Sequence, residues 1–385
     1  MSVDGIRNAA ECRGVSNRFP SPGSAQDERG STAMASAAEF GAMTRALELA
    51  QSPEVPLGPN PRVGCVLLDP SGQVVAEGYH RGAGTPHAEA DALAGAGENA
   101  RGATAVVTLE PCNHTGRTGP CAQALIGAGV GRVVFAQEDP SPVASGGAKA
   151  LVAAGVQVSG GLLAEEARAV NRAWTFAVEH HRPFVTWKLA TTLDGRSAAA
   201  DGTSRWITSE PARIDVHRLR SLCDVILAGT GTVLADDPEL TVRDTNGRRA
   251  RDQPLRAVMG RSELSEGLRV LDDAAETVVL RTRDPVEALD ALHQRDRQHV
   301  LLEGGPTLAA AFLRARLVDE IVAYVSPALL GAGTPAVADL GITTLEDIVR
   351  FDVRDVTTIG ESGDTCVRMT MAPPPSAHES LLRET

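Results

Sequence analysis

Apolar residues between positions 37 and 50 recur three or four apart, at Phe40, Met43, Leu47 and Ala50. That is the repeat of one helical face, and Pro53 and Pro56 end it. The run Arg62-Val63-Gly64-Cys65-Val66-Leu67-Leu68, the turn Pro70-Ser71-Gly72 and the segment Val74-Val75-Ala76 predict a strand pair. A helix from about His87, strands over 105–109, 132–136 and 156–159, and helices over 121–128, 147–154 and 164–178 continue the alternation, which implies an α/β sandwich.

Near His180-His181-Arg182-Pro183 the pattern resets. Strands are predicted over 184–189, 225–228, 255–259, 277–280, 300–302 and 321–325, with helices over 210–222 and 306–314. The organisation expected is two α/β domains, at 36–180 and 183–371. Residues 1–35, rich in Ser, Gly, Arg and Pro without apolar periodicity, have the composition of a disordered tail. Met34, just before the first helix, stands as an alternative start site, and 372–385 reads as a Pro-rich frayed tail.

Composition narrows the function classes. A chain of 385 residues is long enough for two ordinary cores. A net charge of −12 with 3% aromatic residues supplies neither a basic groove nor base-stacking platforms, so nucleic acid is not the expected partner. No apolar run reaches the ~18 residues that span a bilayer, and the N-terminus lacks a secretory signal pattern. Six cysteines in this length do not form a disulfide scaffold. The expected location is the cytoplasm.

The chemistry concentrates in His87-Ala88-Glu89, Pro111-Cys112 and Cys121. A zinc ion that activates water takes three protein ligands and leaves one position open, and one His with two thiolates supplies that set. Glu89, two residues from His87, suits the proton-carrying, non-ligating Glu of zinc deaminases. Pro86 and Gly119-Pro120 mark helix starts, and a helix N-terminus favours a thiolate at Cys121 and helps Cys112. A structural zinc site would want a fourth ligand, for which His114 is the one candidate, at an awkward spacing. The compact deaminase motif has two residues between its cysteines, whereas here a polar loop, Asn113 to Pro120, intervenes and offers His114 and Arg117 to a substrate. Asn60, fixed between Pro59 and Pro61, is placed to hold the edge of a heterocycle.

With Asn60-Pro61-Arg62-Val63-Gly64-Cys65, His87-Ala88-Glu89, Thr108-Leu109-Glu110-Pro111-Cys112 and His114-Thr115-Gly116-Arg117-Thr118 together, the first half closely resembles the deaminase domain of bifunctional riboflavin-biosynthesis deaminase/reductases, in which the long inter-cysteine loop is a family trait. Lys188 to Arg196, Ser204-Arg205-Trp206-Ile207-Thr208, Val233 to Pro238 with Leu240 to Arg243, and Glu303-Gly304-Gly305-Pro306-Thr307-Leu308 resemble that family's reductase.

The resemblance implies a cytidine-deaminase-like three-layer α/β/α domain followed by a dihydrofolate-reductase-like α/β domain. It implies zinc and NADPH as cofactors, and a diamino-hydroxy-pyrimidine ribosylamino 5′-phosphate that is first deaminated and then reduced from ribosyl to ribityl. By resemblance Ala190, Trp206, Thr232, Asp236 and the Gly305-Pro306-Thr307 loop fall on the cofactor side, and Ser204, Arg220, Leu240, Arg243 and Glu303 on the substrate side. Lys188 is placed to orient the ribose or assist proton transfer. A homo-oligomer formed largely through the reductase half is also implied. One departure stands out: where family members often carry an Asp and a small polar residue after the strand at 255–259, this chain has Gly260-Arg261, and Arg261 is a candidate contact for the cofactor's 2′-phosphate.

Residue chemistry alone supports the second half less specifically. Gly304-Gly305-Pro306 would offer amides to a phosphate at a helix start, Trp206 a stacking face, and Arg220 and Arg243 charge-assisted forks. Two competing readings are a zinc nucleobase deaminase with an inactive reductase-like domain, and a zinc-stabilised nucleic-acid-binding protein.

Overall fold

The structure, a computed structural model, describes residues 35–52, 57–114, 119–361 and 365–374. The two expected tails and Pro53, Pro56 and Arg117 therefore lie outside the described residues, apart from Ala35 and 372–374.

Helix α1 (Ala37–Ala50) begins with a reciprocal cap: the Glu39 N–H donates to Ser36 Oγ at 3.2 Å, and the Ser36 N–H donates to Glu39 Oε2 at 2.6 Å. Strands β1 (Gly64–Leu68) and β2 (Val74–Tyr79) form the predicted antiparallel pair. After α2 (Ala88–Ala96) come β3 (Thr104–Leu109), α3 (Cys121–Gly127), β4 (Arg132–Gln137), α4 (Gly147–Ala153) and β5 (Gln157–Gly160). The five strands lie in the order β2-β1-β3-β4-β5, with β3, β4 and β5 parallel. Because β1, β3 and β4 are almost wholly buried, both faces must be covered. One apolar layer joins them to Ala88, Ala92, Leu125 and Leu151, and the other to Met43, Leu47 and Ala167. This is the expected three-layer α/β/α arrangement.

The helix expected over 164–178 is instead two, α5 (Ala164–Val170) and α6 (Arg172–His180). Asn171 lies at the joint, where its amide accepts from the Arg62 N–H at 2.8 Å and donates to the Arg62 carbonyl at 2.9 Å. An apolar repeat cannot reveal a break whose cause is 109 residues away.

The second sheet is built by β6 (Phe184–Thr192), β8 (Val225–Gly229), β9 (Leu255–Met259), β10 (Thr277–Leu280), β11 (His299–Leu302) and β12 (Glu320–Ser326), all parallel. The antiparallel pair β14 (Asp352–Ile359) and β15 (Cys366–Ala372) extends it, giving the order β10-β9-β8-β11-β6-β12-β15-β14. Short β7 (Arg196–Ala198) pairs with β13 (Thr334–Pro335). Helices α7 (Glu210–Arg220), α8 (Thr230–Asp236), α9 (Pro285–His293) and α10 (Pro306–Arg314) complete the second α/β unit. The carboxyl ends of β8, β9 and β11 bring the segments from Gly229, Gly260 and Glu303 to one edge, where ligands of open α/β sheets bind.

Candidate active sites

His87 caps α2 and Cys121 opens α3, so two helix N-termini face each other. His87 Nδ1 lies 3.6 Å from Cys112 Sγ and 3.3 Å from Cys121 Sγ, and the three ligand atoms fall within 4.8 Å of one another. Zinc bound tetrahedrally at ordinary bond lengths separates its N and S ligands by about 3.6 Å. The donor set and spacing therefore fit zinc. Among the described residues no fourth His, Cys or carboxylate joins the cluster, which leaves a coordination position open as a catalytic site requires.

Of the two thiols that a helix N-terminus is expected to help, Cys112 receives the direct contact: the Cys121 N–H donates to Cys112 Sγ at 3.4 Å. The hydrogen bond with Cys121 and the neighbouring His87 lower the Cys112 thiol, whereas the bond with Cys112 and burial push Cys121 up. Glu89, 4% exposed on the first turn of α2, has its carboxyl raised chiefly by burial.

A cavity of about 450 Å³ opens over this cluster. Its walls include Asn60, His80, His87, Glu89, Cys112 and His114, so the structure brings together the predicted residues of the first half, with Cys121 buried at the edge. Arg117 lies outside the described residues. The His114 Nδ1 is buried with no hydrogen-bond partner among the described residues.

Sequence reasoning missed three contributors. Buried His80 accepts from the Asn60 amide at Nε2, 2.8 Å away, because its Nδ1 lies 3.0 Å from the Pro86 carbonyl and must carry the proton there. Glu110 accepts from the N–H groups of Asp139, Gly146 and Ala148 and so fixes one wall. Asp139 on that wall has its carboxyl raised by burial to about 6. A lone His seven residues ahead of the motif carries no local signal, and Glu110, within Thr108 to Cys112, has its partners 29 to 38 residues further along the chain.

In the second half, Arg220 at the end of α7 forks onto Glu303, with Nε to Oε1 at 2.5 Å and a terminal nitrogen to Oε2 at 3.0 Å. Lys188, on β6, lies 3.9 Å from Glu303 Oε2. Burial lowers the Lys188 pKa. In Glu303 the same burial acts upward, but Arg220 and Lys188 outweigh it and hold the carboxyl at about 2. Arg243 meets Glu239 at 2.5 Å and the Gly247 carbonyl at 2.9 Å, while its N–H donates to His217 Nδ1 at 3.2 Å. Both arginines expected on the substrate side thus already have carboxylate partners.

Gly305 caps α10, Pro306 and Thr307 form its first turn, and the Gly305 N–H donates to Thr232 Oγ1 at 3.2 Å. Trp206 is 69% exposed, with the Arg213 guanidinium 4.4 Å from its ring centre. Arg205 donates to the Asp236 carbonyl at 2.6 Å, which joins the Ser204 segment to the end of α8. Ala190 is half-buried on β6, and the Leu240 side chain packs in the core with Ile226 and Val258. Gly260 has φ +145°, and a Cβ there would lie 2.3 Å from Thr230 Oγ1, so a side chain would strain the backbone and displace Thr230 at the start of α8. The departure from the family pattern has a local packing reason. A loop of small residues and amides at strand ends, with an exposed Trp nearby, is compatible with a dinucleotide.

Comparison with known proteins bears on both halves. Residues 38–137 match the family model for the cytidine and deoxycytidylate deaminase zinc-binding region, and 183–363 match that for the RibD C-terminal domain. The chain is 52% identical over 303 residues to the riboflavin biosynthesis protein RibD of Mycobacterium tuberculosis, covering 78% of this chain and 89% of that protein. To Escherichia coli RibD it is 40% identical, covering 86% and 98%. Its structure matches RibD of Acinetobacter baumannii (TM-score 0.79, 36% identity, 88% of this chain and 99% of the other). A Thermotoga maritima diaminohydroxyphosphoribosylaminopyrimidine deaminase/5-amino-6-(5-phosphoribosylamino)uracil reductase also matches, with TM-score 0.77, 34% identity and coverage of 88% and 99%.

Proposed function

The chain belongs to the RibD family of riboflavin-biosynthesis proteins, bifunctional zinc deaminases and NADPH-dependent reductases, and from that premise we propose its substrates and the roles of its residues. The deaminase is assigned to 36–180 and the reductase to 183–371. The proposed substrate is the one for which the Thermotoga relative is named: a diamino-hydroxy-pyrimidine carrying a ribosylamino 5′-phosphate, deaminated to the uracil and then reduced at the ribosyl group.

The observation that carries this reading is the convergence of His87, Cys112 and Cys121 beside a buried Glu89, under a cavity that also presents Asn60 and His114. Zinc held there supplies the Lewis acidity that makes water nucleophilic near neutral pH. Glu89, whose carboxylate is made more basic by burial, takes a proton from the attacking water and delivers it to the amino group, which departs as ammonia. Asn60, its Nδ2 held by His80, presents its carbonyl to the donor edge of the pyrimidine. His114, and with it Arg117, holds the polar side of the substrate.

In the second half Ala190, Trp206, Thr232, Asp236 and Gly305-Pro306-Thr307 would hold NADPH, which would supply the hydride. Lys188 and Glu303 orient the sugar hydroxyls, and Lys188 passes the proton that balances hydride transfer. Arg243, partly exposed and held by Glu239, turns to the substrate phosphate, with Arg220, Ser204 and the Leu240 backbone lining the same side.

Purified zinc-loaded protein given the diaminopyrimidine phosphate tests the reading, with ammonia and NADPH followed separately. Ammonia release followed by NADPH consumption is expected, and no ammonia release refutes it. NADPH consumption also separates this reading from a deaminase with an inactive second domain.

We assign the protein to the cytoplasm, where thiols such as those of Cys65, Cys223 and Cys366 stay reduced, and to a homo-oligomer. No helix among the described residues is long and apolar enough to cross a membrane. The oligomer is supported by edge strand β14, which exposes Val353 and Val356, an edge that a second copy would cover. Light scattering at a mass of one chain would refute it. Small molecules, and no nucleic acid, are the proposed ligands; retention of single-stranded RNA in a filter-binding assay would count against that.

A further inference from the structure

We infer that Gln298, a residue of the second half, is a positioning residue for the deaminase site in the first. The segment Gly58-Pro59-Asn60-Pro61-Arg62 borders the cavity and carries the Asn60 amide. Its two prolines have no N–H, so the segment has few polar handles with which to be fixed.

Besides the Arg62 guanidinium, which donates to the Ser52 carbonyl at 2.8 Å, three further holds are used. The Arg62 backbone is clasped by Asn171, and the Asn60 amide is held by His80; both partners belong to the first half. The third is the Pro59 carbonyl, which accepts from Gln298 Nε2 at 2.5 Å, across 239 residues of sequence. Gln298 is itself fixed: its N–H donates to Asp224 Oδ2 at 2.9 Å and its carbonyl accepts from the Phe184 N–H at 2.8 Å. The next N–H, of His299, donates to Asp224 Oδ1 at 2.9 Å. Gly58 closes the contact. It has φ +51°, and a Cβ there would lie 3.2 Å from both Asp224 Oδ2 and Gln298 Oε1, so the loop rests on the start of β11 without slack.

Asn60 therefore stands between a hold from its own half and one from the other. Releasing Pro59 frees the N-terminal side of the segment, and displacements of about 1 Å at a binding group weaken substrate placement by up to about 10²-fold. The inference rests on the reading of this cavity as the deaminase site. It makes the reductase half a structural part of that site as well as the next station in the reaction.

The test uses the full zinc-loaded chain with Gln298→Glu, which keeps size and packing but turns the donor into an acceptor facing a carbonyl, and with Gln298→Ala. Both variants are expected to raise the KM for the diaminopyrimidine at least threefold with kcat within twofold. Reduction of the separately supplied uracil compound should keep the wild-type rate, and amide exchange over 57–63 should quicken. The inference is overturned if Gln298→Glu leaves both KM and exchange unchanged, or if both activities fall together, which would mark a general disturbance at β11. Exchange needs no substrate, so it decides the inference even if wild-type protein releases no ammonia, a result that would instead remove the functional reading.

Discussion

The backbone N–H of Cys121 points at the sulfur of Cys112, 3.4 Å away, so the start of α3 stabilises the thiolate of its neighbour in the cluster. Two thiols 9 residues apart thus share one helix terminus, and the long polar loop between them is closed at its base. Either cysteine is then indispensable to the metal. Cys112→Ala or Cys121→Ala should lower zinc content at least about tenfold, as measured by elemental analysis of purified protein. Ammonia release should vanish with the metal, while NADPH oxidation on the uracil compound continues. Full zinc occupancy in either variant would remove that residue from the ligand set.

Glu303 carries two cations. With its carboxyl held at about 2, below the ordinary value of 4.5, its ionised form stabilises the fold. Because the folded pKa is depressed, this contribution is complete above pH 4.5 and is lost as pH falls toward 2. Glu303→Gln strands Arg220 and Lys188 in a largely buried site and should cost about 3 kcal/mol at neutral pH. The urea midpoints of wild type and variant should differ most near pH 7 and converge below pH 4.5. A gap that widens on acidification would contradict the pairing.

Arg256, fully buried on β9, is a structural cation that sequence reading passed over inside a predicted apolar strand. Its guanidinium meets Asp272 Oδ1 at 2.7 Å and the carbonyls of Asp272, Ala275, Arg269 and Glu239. Arg256→Leu leaves those acceptors without their donor and should destabilise the second half by about 3–5 kcal/mol. Arg256→Lys should not restore it, since one ammonium cannot reproduce the fork. Thermal unfolding of the three proteins checks this, and a melting point unchanged in Arg256→Leu would refute it.

Arg261 is exposed next to Gly260 at the end of β9, with no ion-pair partner among the described residues. If it meets the cofactor's 2′-phosphate, Arg261→Ala should raise the KM for NADPH about tenfold, as for loss of a charge-assisted contact of ~1.4 kcal/mol. The KM for NADH should stay as it was. Unchanged NADPH kinetics would dispose of the contact.

The first half was legible because its strands are short apolar runs between turns and its helices carry a clean repeat: α1 and α3 begin where the pattern begins. The metal cluster was legible because three ligand types at that spacing have few other uses. Exposed elements were not: β14 is open at seven of its eight positions and shows no buried face, and α8 is only seven residues long. Helix α9 was missed despite a real signal, the Asp284-Pro285 start, where Asp284 Oδ1 caps the Val286 N–H at 2.9 Å. Contacts made at long range stayed invisible, and these define the sites most finely: His80 on Asn60, Glu303 on Arg220, Gln298 on Pro59.

The measurement closest to the central claim is the paired assay of Glu89→Gln. This variant keeps the size of the buried side chain and removes its ability to carry a proton. With zinc retained, ammonia release from the diaminopyrimidine phosphate should fall at least about 10³-fold, while NADPH oxidation on the uracil compound proceeds at the wild-type rate. Undiminished ammonia release, or loss of both activities together, would contradict two separate sites served by one chain.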